Sequence, residues 1–235
     1  MNKLNNGVSL TWLGHATWLI ETPTGKRILV DPFVDSNPAC PPEYKGDGLG
    51  HLDVILCTHG HGDHIGDLVT IAKRTGAKVA GIFDLIGWVE AQGITNTVGG
   101  NKGGTFPIAE GITVTLVTAH HSSSYNGYDM GDPCGFILEL ENGYKIYNSG
   151  DTDVFGDMAL IAELYEPDLV MLCIGDYFTM GVKQAAKAIQ LLNAKLVLPQ
   201  HYGTFPLLTG TPEALQAAVG DRAEILAPQP GETVR

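Results

Sequence analysis

Short apolar runs closed by glycine, proline or polar residues recur along this chain and set its predicted elements. Residues 8–12, 17–22 and 27–30 are β-rich, and the Pro23-Thr24-Gly25 turn makes the second and third a hairpin. Residues 35–50 read as a polar, Gly- and Pro-rich surface loop, the kind of long loop that is often functional in a compact domain. A strand at 53–57, a helix at 65–74 closed by Gly76, a strand at 78–83 and a helix at 85–91 follow. The section 96–140 is β-rich and contains a strand at 112–119. Residues 135–140 pair with 144–147 through Glu141-Asn142-Gly143, where Asn-Gly signals a hairpin. The last third alternates helix 158–164, strand 169–173, helix 182–192, strand 195–198, helix 212–219 and strand 224–227. Strands then helices, twice over, predict an α+β fold: a four-layer αββα sandwich with two sheets face to face, in one domain over residues 1–235.

The strand at 53–57 runs into His59-Gly60-His61-Gly62-Asp63-His64, three imidazoles and a carboxylate within one short loop. Such groups suit Zn, Mn, Fe or Ni better than Ca or Mg. They exceed what one tetrahedral ion needs while keeping a position open for substrate, so two ions explain the crowding better than one. In an extended segment His59 and His61 point the same way and can chelate one ion. Asp63 and His64 follow where the chain turns into a helix, and their side chains diverge toward a second ion. Further candidates end other predicted strands: His120 or His121 after 112–119, Asp151 in Ser149-Gly150-Asp151, and His201 after 195–198. A carboxylate between two cations can bridge them, and Asp151 is placed to do so.

Composition narrows the partners. The chain has 235 residues, 44% of them hydrophobic, a net charge of -12 and a pI near 4.9. It can bury a large core, and its surface repels phosphate backbones, so no nucleic acid partner is expected. No run reaches the ~18 apolar residues of a membrane span, and the segment Met1-Asn2-Lys3-Leu4-Asn5-Asn6 lacks the apolar core of a secretory leader. Cys40, Cys57, Cys134 and Cys173 are scattered without a Cys-x-x-Cys pair; Cys57 and Cys173 lie in apolar runs and read as buried free thiols, and a reducing cytoplasm is the expected location. The partner expected is a small-molecule substrate; a homo-oligomer stays open.

The ordered set His-x-His-x-Asp-His, His, Gly-Asp, His resembles the metallo-β-lactamase superfamily from Leu10 to about Phe205. More narrowly, the chain is similar to the small uncharacterised metal-dependent hydrolases of that superfamily. These in turn resemble the ascorbate-lactonate lactonases and N-acyl-phosphatidylethanolamine phospholipase D. The segments carrying the narrower resemblance are Leu13-Gly14-His15-Ala16-Thr17, Ile28-Leu29-Val30-Asp31-Pro32-Phe33, Thr58 to Asp67, Ala119-His120-His121-Ser122, Gly150-Asp151-Thr152, Ile174-Gly175-Asp176-Tyr177-Phe178-Thr179-Met180-Gly181 and His201-Tyr202-Gly203-Thr204-Phe205-Pro206.

The resemblance implies that His59, His61 and the post-strand histidine bind one metal, that Asp63, His64 and His201 bind the other, and that Asp151 bridges. The family's Ala-x-His pattern selects His121 over His120. Flavodiiron proteins carry Glu where this chain has His61, and class B β-lactamases replace ligands that this chain keeps. A dinuclear hydrolase is therefore implied, with two divalent transition-metal ions, Zn first and Mn, Fe or Ni as alternatives, ~3.5–4 Å apart. A bridging hydroxide would attack a small ester, lactone or phosphodiester, with Asp63 holding the nucleophile and accepting its proton. Neither a glyoxalase-type helical domain nor a transfer-RNA-binding arm fits between Phe205 and Arg235. His15, Asp31, Asp176 and Tyr202 are expected around the ligands or facing substrate, with Asp153 capping the segment after it. The loops 35–50 and 125–133 are expected to rim the pocket, and the Gly99-Gly100 and Gly103-Gly104 pairs to form a flexible loop. The alternative class is a metal-binding scaffold or sensor of the same fold without turnover.

Overall fold

The computed structural model describes residue 4 and residues 6–235; the rest of the polar N-terminal segment lies outside the described residues. The first sheet takes strands β1 (Ser9–Trp12), β2 (Trp18–Glu21) and β3 (Arg27–Val30) as an antiparallel meander. It continues in parallel through β4 (Val54–Leu56), β5 (Lys78–Ile82) and β6 (Thr97–Gly100). Helices α1 (Gly62–Ile65) and α2 (Leu68–Thr75) connect β4 to β5 and α3 (Phe83–Ala91) connects β5 to β6, whereas the β3–β4 connection runs through residues 31–53 without an α-helix.

The chain then crosses to the second sheet. Strands β7 (Thr105–Ala109) and β8 (Ile112–Thr118) precede a small hairpin of β9 (Ser124–Tyr125) and β10 (Tyr128–Asp129). Next come β11 (Cys134–Glu139) and β12 (Lys145–Asn148), antiparallel to one another. Helix α4 (Met158–Tyr165), β13 (Leu169–Cys173), α5 (Val182–Leu191), β14 (Leu196–Gln200), α6 (Pro212–Val219) and β15 (Glu224–Ile225) extend that sheet in parallel. Strand β16 (Thr233–Val234) returns to pair with β1. The sheet orders are β16-β1-β2-β3-β4-β5-β6 and β15-β14-β13-β12-β11-β8-β7.

Alternation along the strands sets the layers. In β13, Leu169 and Met171 join the core shared with the first sheet, while Val170 and Leu172 join the core under α4, α5 and α6. A strand buried on both faces reads as a continuous apolar run, as this one does. Trp18 and Phe136 fill the space between the sheets, and Leu68, Ile71, Leu85 and Val89 seat α2 and α3 on the outer face of the first. The αββα expectation therefore stands. Local chemistry sets the helix ends: Thr211 Oγ1 accepts the Ala214 N–H at 3.2 Å ahead of Pro212, and Gly76, at φ 69°, closes α2.

Two expectations shift, and one strand was not expected at all. The single helix 65–74 is two helices, because Asp67 leaves the helix to accept the Val34 N–H, the Ser36 N–H and the Ser36 hydroxyl. Gly99 and Gly100 lie in β6 instead of a loop, and Phe106 covers Gly100. Strand β16 is too short to show a pattern and is defined by its pairing, including a Thr11–Thr233 hydroxyl pair at 2.8 Å. All four cysteines are buried and free, and among the described residues no helix is long and apolar enough to cross a membrane.

Candidate metal centre

Strands β1, β3 and β4 run the same way in the first sheet, and β8, β12 and β14 the same way in the second. The segments leaving their C-terminal ends carry His15, Asp31, His59 to His64, His121, Asp151 and His201. The backbone is bent hard here. His15, Asp31 and His201 have φ of 59°, 46° and 57°, a left-handed region that costs a non-glycine residue roughly 1–2 kcal/mol. The His201 N–H donates to the His15 carbonyl at 2.9 Å and ties two of these turns together. Gly60 is needed for a different reason: a side chain there would run into Met130 of the 125–133 loop.

Ligand atoms converge. Asp151 Oδ2 lies 3.0 Å from His201 Nε2, 3.2 Å from His64 Nε2, 3.6 Å from His121 Nε2 and 4.0 Å from His59 Nε2. His59 Nε2 lies 2.9 Å from His61 Nδ1, and Asp63 Oδ2 lies 3.6 Å from His201 Nε2. Among the described residues, three sets each bring their ligand atoms within 4.8 Å of one another: His59, His61 and His121; His59, His64 and Asp151; and His15, Asp63, His64 and His201.

Buried hydrogen-bond partners set the tautomers. Thr58 donates its hydroxyl to Asp31 at 2.8 Å and accepts from His59 Nδ1 at 3.0 Å, so His59 Nε2 keeps its lone pair. His64 Nδ1 donates to Asp31 Oδ2 at 2.8 Å, which frees His64 Nε2. His15 Nε2 donates to Asp63 Oδ2 at 3.0 Å, and His15 Nδ1 accepts from the Thr204 hydroxyl at 3.0 Å. With both its nitrogens engaged, His15 holds Asp63 instead of serving as a ligand.

The same site leaves polar atoms without hydrogen bonds. His64 Nε2, His201 Nε2 and Asp151 Oδ1 are buried and unpartnered, although two of those nitrogens lie near Asp151 Oδ2. With both rings neutral, lone pairs aimed at one point repel and each orphan costs roughly 1–3 kcal/mol; without a metal, protons on the two rings relieve that repulsion. A cation at that point satisfies all of them, and imidazole with carboxylate is a donor set that transition metals accept. The charges agree. Burial pushes Asp151 upward, yet His201 and His64 outweigh it and hold the carboxyl well below the usual range. Burial works against the charged forms of His64 and His201, but Asp151, with Asp31 for His64 and Asp63 for His201, raises both, His201 to about 9. The carboxylates draw protons onto these two rings, and a divalent cation would replace those protons. Burial instead keeps His59, His61 and His121 neutral, lowering each. It also lowers His15, helped by the His201 charge, to about 4.

A cavity of about 530 Å³ opens onto His61, Asp63, His121, Asp151 and His201, with Ser122, Phe178 and Phe205 completing its lining. The expected rim loops are not in that lining. Met130 of 125–133 packs under Gly60, and Ala39 of 35–50 packs against Gly14, so both loops brace the turns from behind. Asp31 is fully buried behind the ligands. Tyr202 stacks on Trp12, ring centroids 4.9 Å apart, and does not face the cavity. Asp176 is exposed and accepts the Tyr177 N–H at 2.8 Å, organising its own loop away from the ligands. His120 packs against Phe155, whereas His121 turns toward Asp151. Asp153 accepts the Val154 N–H at 2.7 Å. Sequence reasoning gave no role to Thr58, Ser122 or Thr204, although each lies in a segment that carried the resemblance and within three residues of a candidate histidine.

The fold belongs to a known class. Residues 26–202 match the model of the beta-lactamase superfamily domain, so the chain is a member of that superfamily. Within it, the chain belongs to the UPF0173 metal-dependent hydrolase family. It is 52% identical to the member from Herpetosiphon aurantiacus over 95% of this chain and 96% of the relative. It is 47% identical to the member from Chloroflexus aurantiacus over the full length of both. Among solved structures it is similar to Igni18, a metallo hydrolase from Ignicoccus hospitalis, at a TM-score of 0.87 with 36% identity over 97% of each chain.

Proposed function

We propose that this chain is a metal-dependent hydrolase with a dinuclear centre, His59, His61 and His121 on one side, Asp63, His64 and His201 on the other, and Asp151 between. The observation that carries this reading is the convergence of unpartnered buried ligand atoms on Asp151, facing an open cavity. Two divalent ions, zinc first, would supply there the Lewis acidity that makes hydroxide available from water near neutral pH. The chain's own residues do the rest. Asp63 is the one carboxylate of the centre with substantial exposure, its side chain 34% accessible, so it meets water and substrate together. Its oxygen is fixed by the His15 N–H, which is fixed in turn by Thr204. Asp63 is thus placed to orient the attacking water and to accept its proton, although against the upward push of burial the hydrogen bonds from His15 and His201 hold its carboxyl well below the usual range. Asp31 and Thr58 hold the rings of His64 and His59 in the tautomers that leave Nε2 free.

A scaffold or sensor without turnover is the competing class. The open cavity favours catalysis, because a structural metal site is closed by its protein ligands. Metal-loaded wild type and His61→Ala are to be compared on esters, lactones and bis(4-nitrophenyl) phosphate. Hydrolysis of one class by the wild type, falling at least tenfold in the variant, supports the enzyme. Background rates from both on every class, under zinc, manganese and iron loading, refute it.

A further inference from the structure

The lining of the cavity carries information about substrate that the metal ligands do not. Apart from those ligands it holds Phe178, Phe205 and Ser122, with no lysine or arginine among the described residues. Beyond the histidines and the cations they would hold, a phosphodiester anion would find no lysine or arginine there to share its charge, although sites for transferred phosphoryl groups commonly add such a side chain to the metal. The whole chain has a net charge of -12, so its general field also works against anions. Three carboxylates, Asp31, Asp63 and Asp151, sit in or directly behind the centre and would offset much of the charge that bound cations bring.

Phe178 is held at the mouth on purpose. It is 52% exposed and its neighbour Tyr177 is 69% exposed, with their rings edge to face at 4.7 Å. The backbone that presents them is unfavourable: Asp176 and Tyr177 are consecutive non-glycine residues at φ 66° and 58°. The loop is nevertheless pinned at both ends. The Phe178 N–H donates to the Asp176 carbonyl at 2.6 Å. The N–H of buried Met180 donates at 3.0 Å to the carbonyl of Thr152, the residue after Asp151. The ring position is therefore tied to the centre itself. Phe205, on the turn after His201, packs edge-on against His15, with ring centroids 5.4 Å apart. Two aromatic faces thus flank a polar centre in a cavity of about 530 Å³, a volume suited to one medium-sized organic molecule.

We propose that the pocket selects uncharged carboxylic esters or lactones bearing an aromatic or similarly compact apolar group, seated against Phe178 and Phe205. This rests on the hydrolase reading above and names its substrate class. In the reaction the acyl C–O bond breaks and the oxygen of water bonds to the acyl carbon. The proton that water loses to Asp63 ends on the departing oxygen, which in a lactone stays on the same product molecule. No other reactant is required.

The test compares wild type with Phe178→Ala and Phe178→Leu, using benzyl acetate, ethyl acetate, dihydrocoumarin and bis(4-nitrophenyl) phosphate. Calorimetric binding of the neutral amide acetanilide and of diphenyl phosphate is measured in parallel. Wild type is expected to favour benzyl acetate over ethyl acetate, and either neutral aromatic substrate over the diester, by about tenfold or more in kcat/KM. Phe178→Ala is expected to raise KM for benzyl acetate about tenfold, the loss falling on KM more than on kcat, with acetanilide binding weakened to match. Phe178→Leu should recover part of both, which separates ring contact from loop collapse. Preferred turnover of the diester, or unchanged KM and acetanilide binding in Phe178→Ala, overturns the proposal and leaves the hydrolase reading intact. Absence of all turnover, with acetanilide bound by wild type and lost in Phe178→Ala, removes the hydrolase reading and upholds the pocket's preference.

Discussion

Asp31→Asn isolates the role of a carboxylate that no ion is expected to touch. Asp31 is fully buried and accepts three donors at 2.8 Å: the Thr58 N–H on Oδ1, and the Thr58 hydroxyl and His64 Nδ1 on Oδ2. Asparagine has nearly the same shape and tolerates the left-handed φ of 46°, so backbone strain does not confuse the result. Its amide nitrogen must face donors on one side or the other. The Thr58 backbone proton cannot move, whereas the His64 proton can shift from Nδ1 to Nε2 and the Thr58 hydroxyl can rotate. The amide therefore turns its nitrogen toward His64, and the proton moves onto Nε2, the atom aimed at Asp151. Metal affinity should fall by about 10–100-fold, the usual effect of losing an outer hydrogen-bond partner. The metal-free protein loses one charge-assisted bond, about 2 kcal/mol, which for a chain of this size is a melting shift of about 4–8 °C. Chelator competition titrations and thermal melts of the metal-free protein measure the two effects. Wild-type affinity in a folded Asp31→Asn protein would refute the tautomer argument.

Other outcomes follow from the same geometry. Metal loading at neutral pH should release protons, because the cation displaces those held on His64 and His201; affinity should fall as pH is lowered, and a pH-stat titration measures both. In the metal-free protein the raised His201 value contributes stability that is fully present below its unfolded value of 6.5 and is lost as pH rises through about 9, a trend that melts across pH can check. His15→Ala should keep its metal yet lose about 10–100-fold in kcat, with Thr204→Val losing less, since these residues act by positioning Asp63. Equal loss in KM and no loss in kcat would contradict that. Gly150→Ala should cost about 1–3 kcal/mol by denaturant unfolding, because its φ is 57° and a Cβ would stand 2.7 Å from the Cys134 carbonyl oxygen.

What was legible in the sequence follows from what leaves a periodic trace. β13 is buried on both faces, so its continuous apolar run announced it, and the hairpin of β11 and β12 was marked by Asn142-Gly143. β16 left no trace, because two residues carry no period and only the pairing with β1 defines it. The break between α1 and α2 depends on Asp67 finding Val34 and Ser36, a long-range contact that local propensity cannot anticipate. At the site, the ligand types stood out because imidazoles and carboxylates ended apolar runs, and the structure brings His59, His61, Asp63, His64, His121, Asp151 and His201 to one edge of the two sheets. Asp176 and Tyr202, adjacent to informative segments in the chain, point elsewhere. The apolar part of the cavity wall was given no role: Phe178 and Phe205 lay in segments that carried the resemblance, but Phe178 reaches the cavity through two left-handed residues, and glycine-rich composition drew attention to loops that pack behind the proposed ligands instead.

The central claim is that Asp151 stands between two cations, and metal stoichiometry tests it most directly. Wild type and Asp151→Ala, stripped with chelator and dialysed to equilibrium against zinc, are to be analysed for metal per folded chain. About two ions in the wild type and at most one in the variant is the expected result. A wild type that takes up no metal, or a variant that holds as many ions as tightly as the wild type, would contradict it.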